Sequence, residues 1–333
     1  TFLVRSNLIV SVHSFASDPL RGLFLIMIIA YLFIVTLRLN IKSVNYFNQD
    51  TFKIMSKETF LLLNNIFFIA AALTVLVGTI YPLFSEIIYN SSVSIGAPYY
   101  NFAFNLLMAP IILLMAFAPQ IKWGEHKKKN NQTFYIIAIS IVITAIVYYL
   151  LGNIFFALSV FITMPLFIKS FLVFFKKVSK DRSFFAQWLA HLSIGLFIVA
   201  AVYTEQFDYE KNITFEKGDS NEIVLNEGAS LLLENIKDSD LSNHQKISVD
   251  LIVVEKNLKY SLSPSKNIYQ PSGQVTNEVS TVNRYFDQYY ATISMIESDK
   301  VSINLVFKPF INLLWISSIL LVFSIFLSII KRK

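Results

Sequence analysis

The fold is decided at residues 184–219, which read FFAQWLAHLSIGLFIVAAVY (184–203) and then TEQFDYEKNITFEKGD (204–219). The first part holds twenty residues without Asp, Glu, Lys or Arg, and a helix of that length crosses roughly 30 Å of hydrocarbon. The second part is rich in Asp, Glu and Lys. An apolar helix that gives way at once to a charged segment predicts a membrane span leading into a domain outside the bilayer.

The rest of the chain repeats the apolar pattern. Its 333 residues are 55% hydrophobic and 15% charged, with a mean hydropathy of +0.56. Soluble domains usually contain about a quarter charged residues, so the composition argues against an ordinary soluble enzyme. We predict a polytopic α-helical membrane protein with seven spans, at about 20–38, 61–83, 102–121, 133–151, 154–175, 184–203 and 309–330.

Charge is distributed unevenly along the chain. Residues 205–308 hold 10 Lys and Arg against 16 Asp and Glu, a net charge of −6, and the remainder holds 18 against 6, a net of +12. If the C-terminus lies inside, four inner segments carry 15 Lys and Arg, whereas the short outer segments carry only Arg5. This asymmetry favours an N-terminus and residues 204–308 outside, with the C-terminus inside.

The acidic segment has the pattern of a separate domain. Its apolar runs at 223–225, 247–254, 290–296 and 301–307 are broken by Gly, Asn, Asp, Ser and Pro. Such short runs with turn signals between them predict a small all-β sandwich or barrel. We therefore expect a six-span membrane domain with an N-terminal outer loop at 1–203, an outer β-rich domain at 204–308, and a last transmembrane helix with a basic inner tail at 309–333.

Several kinds of site are not supported by the sequence. The chain contains no Cys, which excludes disulfides, thiolate metal sites and thiol nucleophiles of its own. Its basic residues lie at span ends rather than on a clustered face, so no nucleic-acid partner is expected. No glycine-rich phosphate loop, paired-carboxylate site or nucleophile motif stands out.

His191 is the most informative of the four histidines. It lies inside the sixth predicted span, roughly 10 Å from the inner end at 1.5 Å per residue, where an ionisable side chain is a functional hypothesis. A neutral imidazole suits haem iron. A neutral imidazole hydrogen-bonded to a Ser or Thr of a neighbouring helix is the alternative, and the residues alone leave both open.

His13 lies before the first span on the outer side. Because His13 and His191 are placed near opposite faces of the membrane, they do not form one site together. If each binds iron, each needs a second ligand from elsewhere. His126 and His244 stand in charged or polar stretches, which favours solvated loops for both.

Several strings, taken together, resemble the CcmF/NrfE haem lyases, the large membrane subunits of System I cytochrome c maturation. The resemblance runs along the whole chain. It is carried by residues 1–6, 11–19, 62–65, 78–83, 96–101, 107–110, 191–195 and 307–310, of which the strings around His13 and His191 are the most specific.

The resemblance implies that the chain is the C-terminal part of a haem lyase. His13 matches one of two outer histidines that hold a transient haem substrate, and His191 matches one of two histidines that ligate a membrane haem b, so both are expected to bind haem iron. Arg5 is a candidate contact for a haem propionate. For Arg21, anchoring at the membrane edge is the favoured interpretation. The tryptophan-rich motif of the family is expected upstream of Thr1, in a truncated or a naturally split protein.

The implied function is covalent attachment of haem to the Cys-x-x-Cys-His thiols of apocytochrome c, with haem b relaying electrons from quinol. No catalytic residue is assigned, because the substrate supplies the thiols. Expected partners are the N-terminal half of the lyase, a haem chaperone, apocytochrome c and quinol, in a bacterial or mitochondrial inner membrane.

Two other classes of function remain open at this stage. A docking or assembly subunit would use the acidic outer domain to bind apocytochrome or a haem chaperone. A transporter ranks last, because transporters typically show repeat symmetry and mid-bilayer charges, and His191 is expected to be the single ionisable residue deep in a span.

Overall fold

The computed structural model describes residues 19–43, 53–91, 93, 95–118, 121, 123–124, 131–177, 182–216, 222–226, 229–255, 258–270, 273–297 and 300–329. The chain divides into two compact units, residues 1–129 and 130–333. In the described residues, seven helices are long and apolar enough to cross a membrane. The predicted class, a multi-span helical membrane protein with an inserted β domain, is confirmed.

The first unit contains three helices. They are α1 (Pro19–Ser43), α2 (Lys57–Tyr89) and α3 (Ala97–Phe117). At 33 residues, α2 is longer than the predicted span, because polar residues extend and cap its ends. Ser56 accepts a hydrogen bond from the Thr59 amide, and Asn90 ends the helix in the left-handed conformation (φ 49°).

Four helices of the second unit form its membrane part. They are α4 (Gln132–Leu151), α5 (Ile154–Lys177), α6 (Arg182–Phe207) and α7 (Ile311–Ile329). Gly152 (φ 68°) lets the chain turn sharply from α4 into α5, since a left-handed backbone costs glycine little. Helix α5 packs against both α4 and α6, and α6 packs against α7.

Ten strands lie between α6 and α7 in the described residues. They are β1 (Tyr209–Glu216), β2 (Ile223–Asn226), β3 (Ala229–Asp240), β4 (His244–Glu255), β5 (Leu258–Leu262), β6 (Ser265–Tyr269), β7 (Val275–Glu278), β8 (Ser280–Arg284), β9 (Asp287–Ile296) and β10 (Lys300–Lys308). One antiparallel sheet has the order β1-β10-β9-β8. The other has the order β2-β3-β4-β6-β7, with β5 also paired to β4.

The two sheets share one apolar core. Alternate residues of each long strand are buried, as at Val301, Ile303 and Leu305 on β10 and at Val249 and Leu251 on β4. A period of two is what a strand with one buried face requires. Of the two predicted forms, sandwich or barrel, the domain is a two-sheet sandwich, because the inner faces of both sheets are apolar.

Two chain crossings join the sandwich to its helices, since α6 runs into β1 and β10 runs into α7. The Thr204 hydroxyl near the end of α6 donates to the Pro309 carbonyl at 2.7 Å, which holds the two crossings together. Burial raises the pKa of the nearby Tyr209 and Tyr289 hydroxyls above the ordinary tyrosine value. Tyr289 donates to the Glu255 carboxylate at 3.3 Å.

Candidate functional site

Helix α6 carries His191 into the membrane region. The apolar segment of this helix runs from Phe185 to Phe207. At 1.5 Å per residue, His191 lies about 9 Å from the start of that segment. We call the end of the spans that carries the β sandwich the domain side, and His191 lies nearer the opposite side.

Residues one turn before and one turn after His191 show what this face of α6 contacts. Trp188 precedes His191 by three residues and Gly195 follows it by four, so all three share one face. The ring of Trp188 lies 4.5 Å from that of Phe174 on α5. A Cβ placed on Gly195 would come within 2.8 Å of the Phe167 ring, which also belongs to α5. His191 therefore lies on the stripe of α6 that packs against α5.

The imidazole of His191 is half-buried. It forms no hydrogen bond with any residue that the structure describes. The Ser193 hydroxyl, which is close in sequence, donates instead to the Leu189 carbonyl at 2.7 Å. The arrangement in which a Ser or Thr of the described chain satisfies the imidazole is therefore not formed, and the ring nitrogens remain available to a ligand.

An aromatic cluster lies one turn before His191. Trp188 stacks on Phe185 with ring centroids 5.6 Å apart and also contacts Phe174. Its indole Nε1 is buried without an acceptor among the described residues. A buried donor usually has a partner. This N–H is therefore a free hydrogen-bond donor one helical turn from His191.

Lys169 on α5 corrects one expectation. It belongs to the apolar segment Ile154–Leu172 and is almost fully buried, so His191 is not the single ionisable residue within a span. The Phe167–Gly195 and Phe174–Trp188 contacts place Lys169 at about the depth of Ser193. It lies about 200° around α5 from Phe167, on a different face from the α6 contact. A lysine within a nineteen-residue apolar run was the signal that sequence reasoning passed over.

The remaining candidate residues either lie outside the described residues or belong to the sandwich. His13, Arg5, His126 and the Arg21 side chain lie outside the described residues. The expectation of a solvated loop is wrong for His244: it begins β4, is half-buried, lies 5.0 Å from the Tyr269 ring and has Nδ1 2.7 Å from the Asn243 Oδ1. In the described part of the chain, no group of three or more His, Asp or Glu residues could hold a metal ion.

Comparison with known proteins gives relatives along the whole chain. It is 29% identical to the cytochrome c-type biogenesis protein CcmF of Haemophilus influenzae, over 100% of the chain and 54% of the relative. It is 27% identical to CcmF of Escherichia coli (96% and 51%) and 24% identical to NrfE of Haemophilus influenzae (100% and 54%). The chain spans about half the length of these relatives. No protein-family model matches it.

A solved structure shares the fold. The cytochrome c heme lyase CcmF superposes with a TM-score of 0.70 at 17% identity, covering 84% of this chain and 46% of that protein. At such identity the likeness shows the fold alone. Sequence and fold agree on the same group, and over its whole length the chain resembles about half of a CcmF/NrfE-type cytochrome c biogenesis protein.

Proposed function

We propose that the chain is part of a cytochrome c haem lyase and that His191 gives one axial bond to the iron of a membrane haem b. The observation that carries the proposal is the His191 imidazole, which is half-buried within a span and has no hydrogen-bond partner in the described residues. Similarity to proteins named for cytochrome c biogenesis supports the assignment.

The residues around His191 fit such a group. A neutral imidazole is a common axial ligand of haem iron. The rings of Trp188 on α6 and of Phe174 on α5 lie one turn from His191, where they would give a macrocycle flat apolar contacts, whereas Gly195 is covered by the Phe167 ring. A bound haem b would supply one-electron transfer. The chain's own contribution is to hold the imidazole at a fixed depth, because α6 packs against both α5 and α7.

The second axial bond needs a residue from outside the described chain. The other described histidine, His244, belongs to the sandwich and is hydrogen-bonded to Asn243. We propose that the complementary half of the lyase, which bears the tryptophan-rich motif, provides the partner histidine.

The outer part of the proposal rests on the resemblance. His13 would ligate the transient haem substrate, and Arg5 would contact a propionate. The apocytochrome would supply the thiols, so a chain without cysteine is chemically sufficient. We place the N-terminus and the sandwich outside an inner membrane and the C-terminus inside, with a haem chaperone, apocytochrome c and quinol as partners.

Co-expression with the complementary half tests the proposal. The wild-type complex is expected to purify with the visible spectrum of a low-spin haem b, which His191→Ala abolishes. His244→Ala is the matched control and keeps the spectrum. His191→Met supplies a different axial ligand, so it should retain haem and raise the reduction potential. An unchanged spectrum in His191→Ala would remove His191 as a ligand.

The sandwich supports a second candidate, a docking subunit. The last seven residues of β3 carry three exposed carboxylates, Glu234, Asp238 and Asp240. If docking is the chain's main role, replacing these three by Gln and Asn should lower cytochrome c yield, while His13→Ala and His191→Ala leave it unchanged. Loss of yield in the histidine variants alone would refute the docking role.

A further inference from the structure

The turn between β8 and β9 exposes two aromatic side chains, Tyr285 and Phe286. Tyr285 keeps 85% of its surface exposed and Phe286 keeps 49%. The backbone of Tyr285 has φ 49°, a left-handed conformation that is uncommon for a bulky residue. We call these two residues the aromatic tip. Two adjacent rings held outward at a strained turn require a physical reason.

Hydrogen bonds fix the aromatic tip beside the first turn of α7. The Asn312 amide N–H donates to the Phe286 carbonyl at 3.0 Å. The Asn312 side chain donates to the carbonyls of Tyr285 (2.9 Å) and Asp287 (3.3 Å). The Phe310 amide donates to the Asp287 carboxylate at 3.0 Å. The tip therefore cannot move independently of the start of this span.

The length of α7 sets the depth of the tip. Its nineteen residues rise about 28 Å, which matches a hydrocarbon core of roughly 30 Å. Asn312 is the second residue of this helix and so lies at the edge of the hydrocarbon. Because the tip carbonyls bond to Asn312, the β8–β9 turn lies beside that edge.

Aromatic residues at the ends of the neighbouring helices form a packed cluster at this level. Phe156 near the start of α5 contacts Tyr203 and Phe207 near the end of α6, with ring centroids 5.1 and 5.8 Å apart. Tyr203 contacts Phe310 at 4.6 Å, and Phe310 contacts Phe286 at 6.1 Å. Phe286 extends this cluster to the exposed turn, and aromatic side chains are enriched where a protein meets the membrane–water interface.

We propose that the aromatic tip inserts into the lipid headgroup region on the domain side and so docks the sandwich onto the membrane surface. Tyr285 and Phe286 provide the contact. Arg284, the neighbouring cation, is occupied by Glu255 at 3.1 Å and Asp287 at 3.7 Å. Binding therefore depends on aromatic burial and does not require anionic lipid.

Because the chain has no cysteine, a single introduced thiol reports its surroundings directly. Tyr285→Cys carries an environment-sensitive fluorophore, and the full chain is reconstituted into phosphatidylcholine vesicles with and without phosphatidylglycerol. Leu241→Cys is the matched control, since Leu241 is an exposed apolar residue (51%) in the β3–β4 turn. It lies at the other end of β4 from Glu255, roughly 35 Å away along the strand.

The expected result is that lipid with a doxyl group near the headgroup quenches the label at 285 at least twofold more than the label at 241. Aqueous iodide should give the opposite order, in both lipid compositions. A label at 285 as open to iodide as the label at 241 would overturn the proposal. Shielding from both quenchers, which indicates a protein partner, or a requirement for phosphatidylglycerol would also overturn it. Tyr285→Trp, read with brominated lipid, repeats the test with an aromatic side chain retained.

Discussion

The contact between Gly195 and Phe167 beside His191 allows a sharp test of how α5 and α6 pack. A Cβ at position 195 would lie 2.8 Å from Cε1 and Cζ of Phe167. Ordinary carbon contacts are about 3.5 Å or longer, so in Gly195→Ala the ring or the helix must retreat by about 0.7 Å. Overpacking costs about 1–3 kcal/mol, and better helix propensity returns about 1 kcal/mol. We expect a net loss of roughly 0–2 kcal/mol.

Phe167→Leu provides the matched background. Leucine lacks the Cε1 and Cζ atoms that meet the new methyl group, and the Phe167 Cδ1 at 3.5 Å is in ordinary contact. In this background Gly195→Ala should be neutral or stabilising, by up to about 1 kcal/mol. The double-mutant cycle should therefore give a coupling energy of about 1–3 kcal/mol.

Unfolding of the four proteins, followed by circular dichroism in mixed micelles, measures this coupling. The complex with the complementary half adds a second readout if the proposed haem b is bound. A displaced α5 should broaden or weaken its spectrum in Gly195→Ala, and the double variant, which lacks the clash, should regain the wild-type spectrum. If Gly195→Ala has the same effect in both backgrounds, within about 0.5 kcal/mol, the close approach of α5 to α6 at this position is refuted.

Three further predictions concern the sandwich and its junction. Arg284→Leu should destabilise the protein by about 2 kcal/mol. This loss is smaller than for a fully buried ion pair, because Arg284 and Glu255 keep 25% and 14% of their side chains exposed. Adding Glu255→Gln should recover much of the lost stability. Thr204→Val removes the hydrogen bond to the Pro309 carbonyl and should cost about 1 kcal/mol. The Lys237 hydrogen bond lowers the pKa of Asp250, so the stability this pair contributes should be present at neutral pH and lost as the pH falls below about 4.

Thermal unfolding in micelles checks each of these. Equal losses in Arg284→Leu with and without Glu255→Gln would contradict an ion pair at the junction. An unchanged midpoint in Thr204→Val would show that the bond between the two crossings contributes nothing. Asp250→Asn is expected to differ from wild type at pH 6, and the difference should shrink as the pH falls below about 4; a difference that does not change with pH would contradict the role of the charge.

The number of long apolar helices and the position of the β-rich domain were predictable because hydropathy is a local property, whereas the number of strands was not predicted. Each of the seven predicted spans coincides with a described helix that is long and apolar enough to cross a membrane. Each of the four quoted apolar runs of the acidic segment lies in a strand. Span ends were less well predicted. Helix α2 reaches from Lys57 to Tyr89 rather than 61–83, since Ser56 and Asn90 cap it beyond the apolar residues.

The candidate site was predictable only in part. Sequence position gave the depth of His191, and the choice between an iron ligand and a hydrogen-bonded imidazole depended on neighbours that sequence spacing does not supply. Only the packed helices show that no described Ser or Thr meets the ring. The same packing shows that Gly195 approaches Phe167 and that Lys169 is buried at a similar depth.

The sequence by itself determined which segments lie in lipid and which form a separate β domain, because the cost of placing charge in hydrocarbon is decided residue by residue. Only the tertiary structure decided what each face meets, since contacts between α5 and α6, or between Asn312 and the β8–β9 turn, join residues far apart along the chain. Such pairings depend on the geometry of whole elements, which no local pattern encodes.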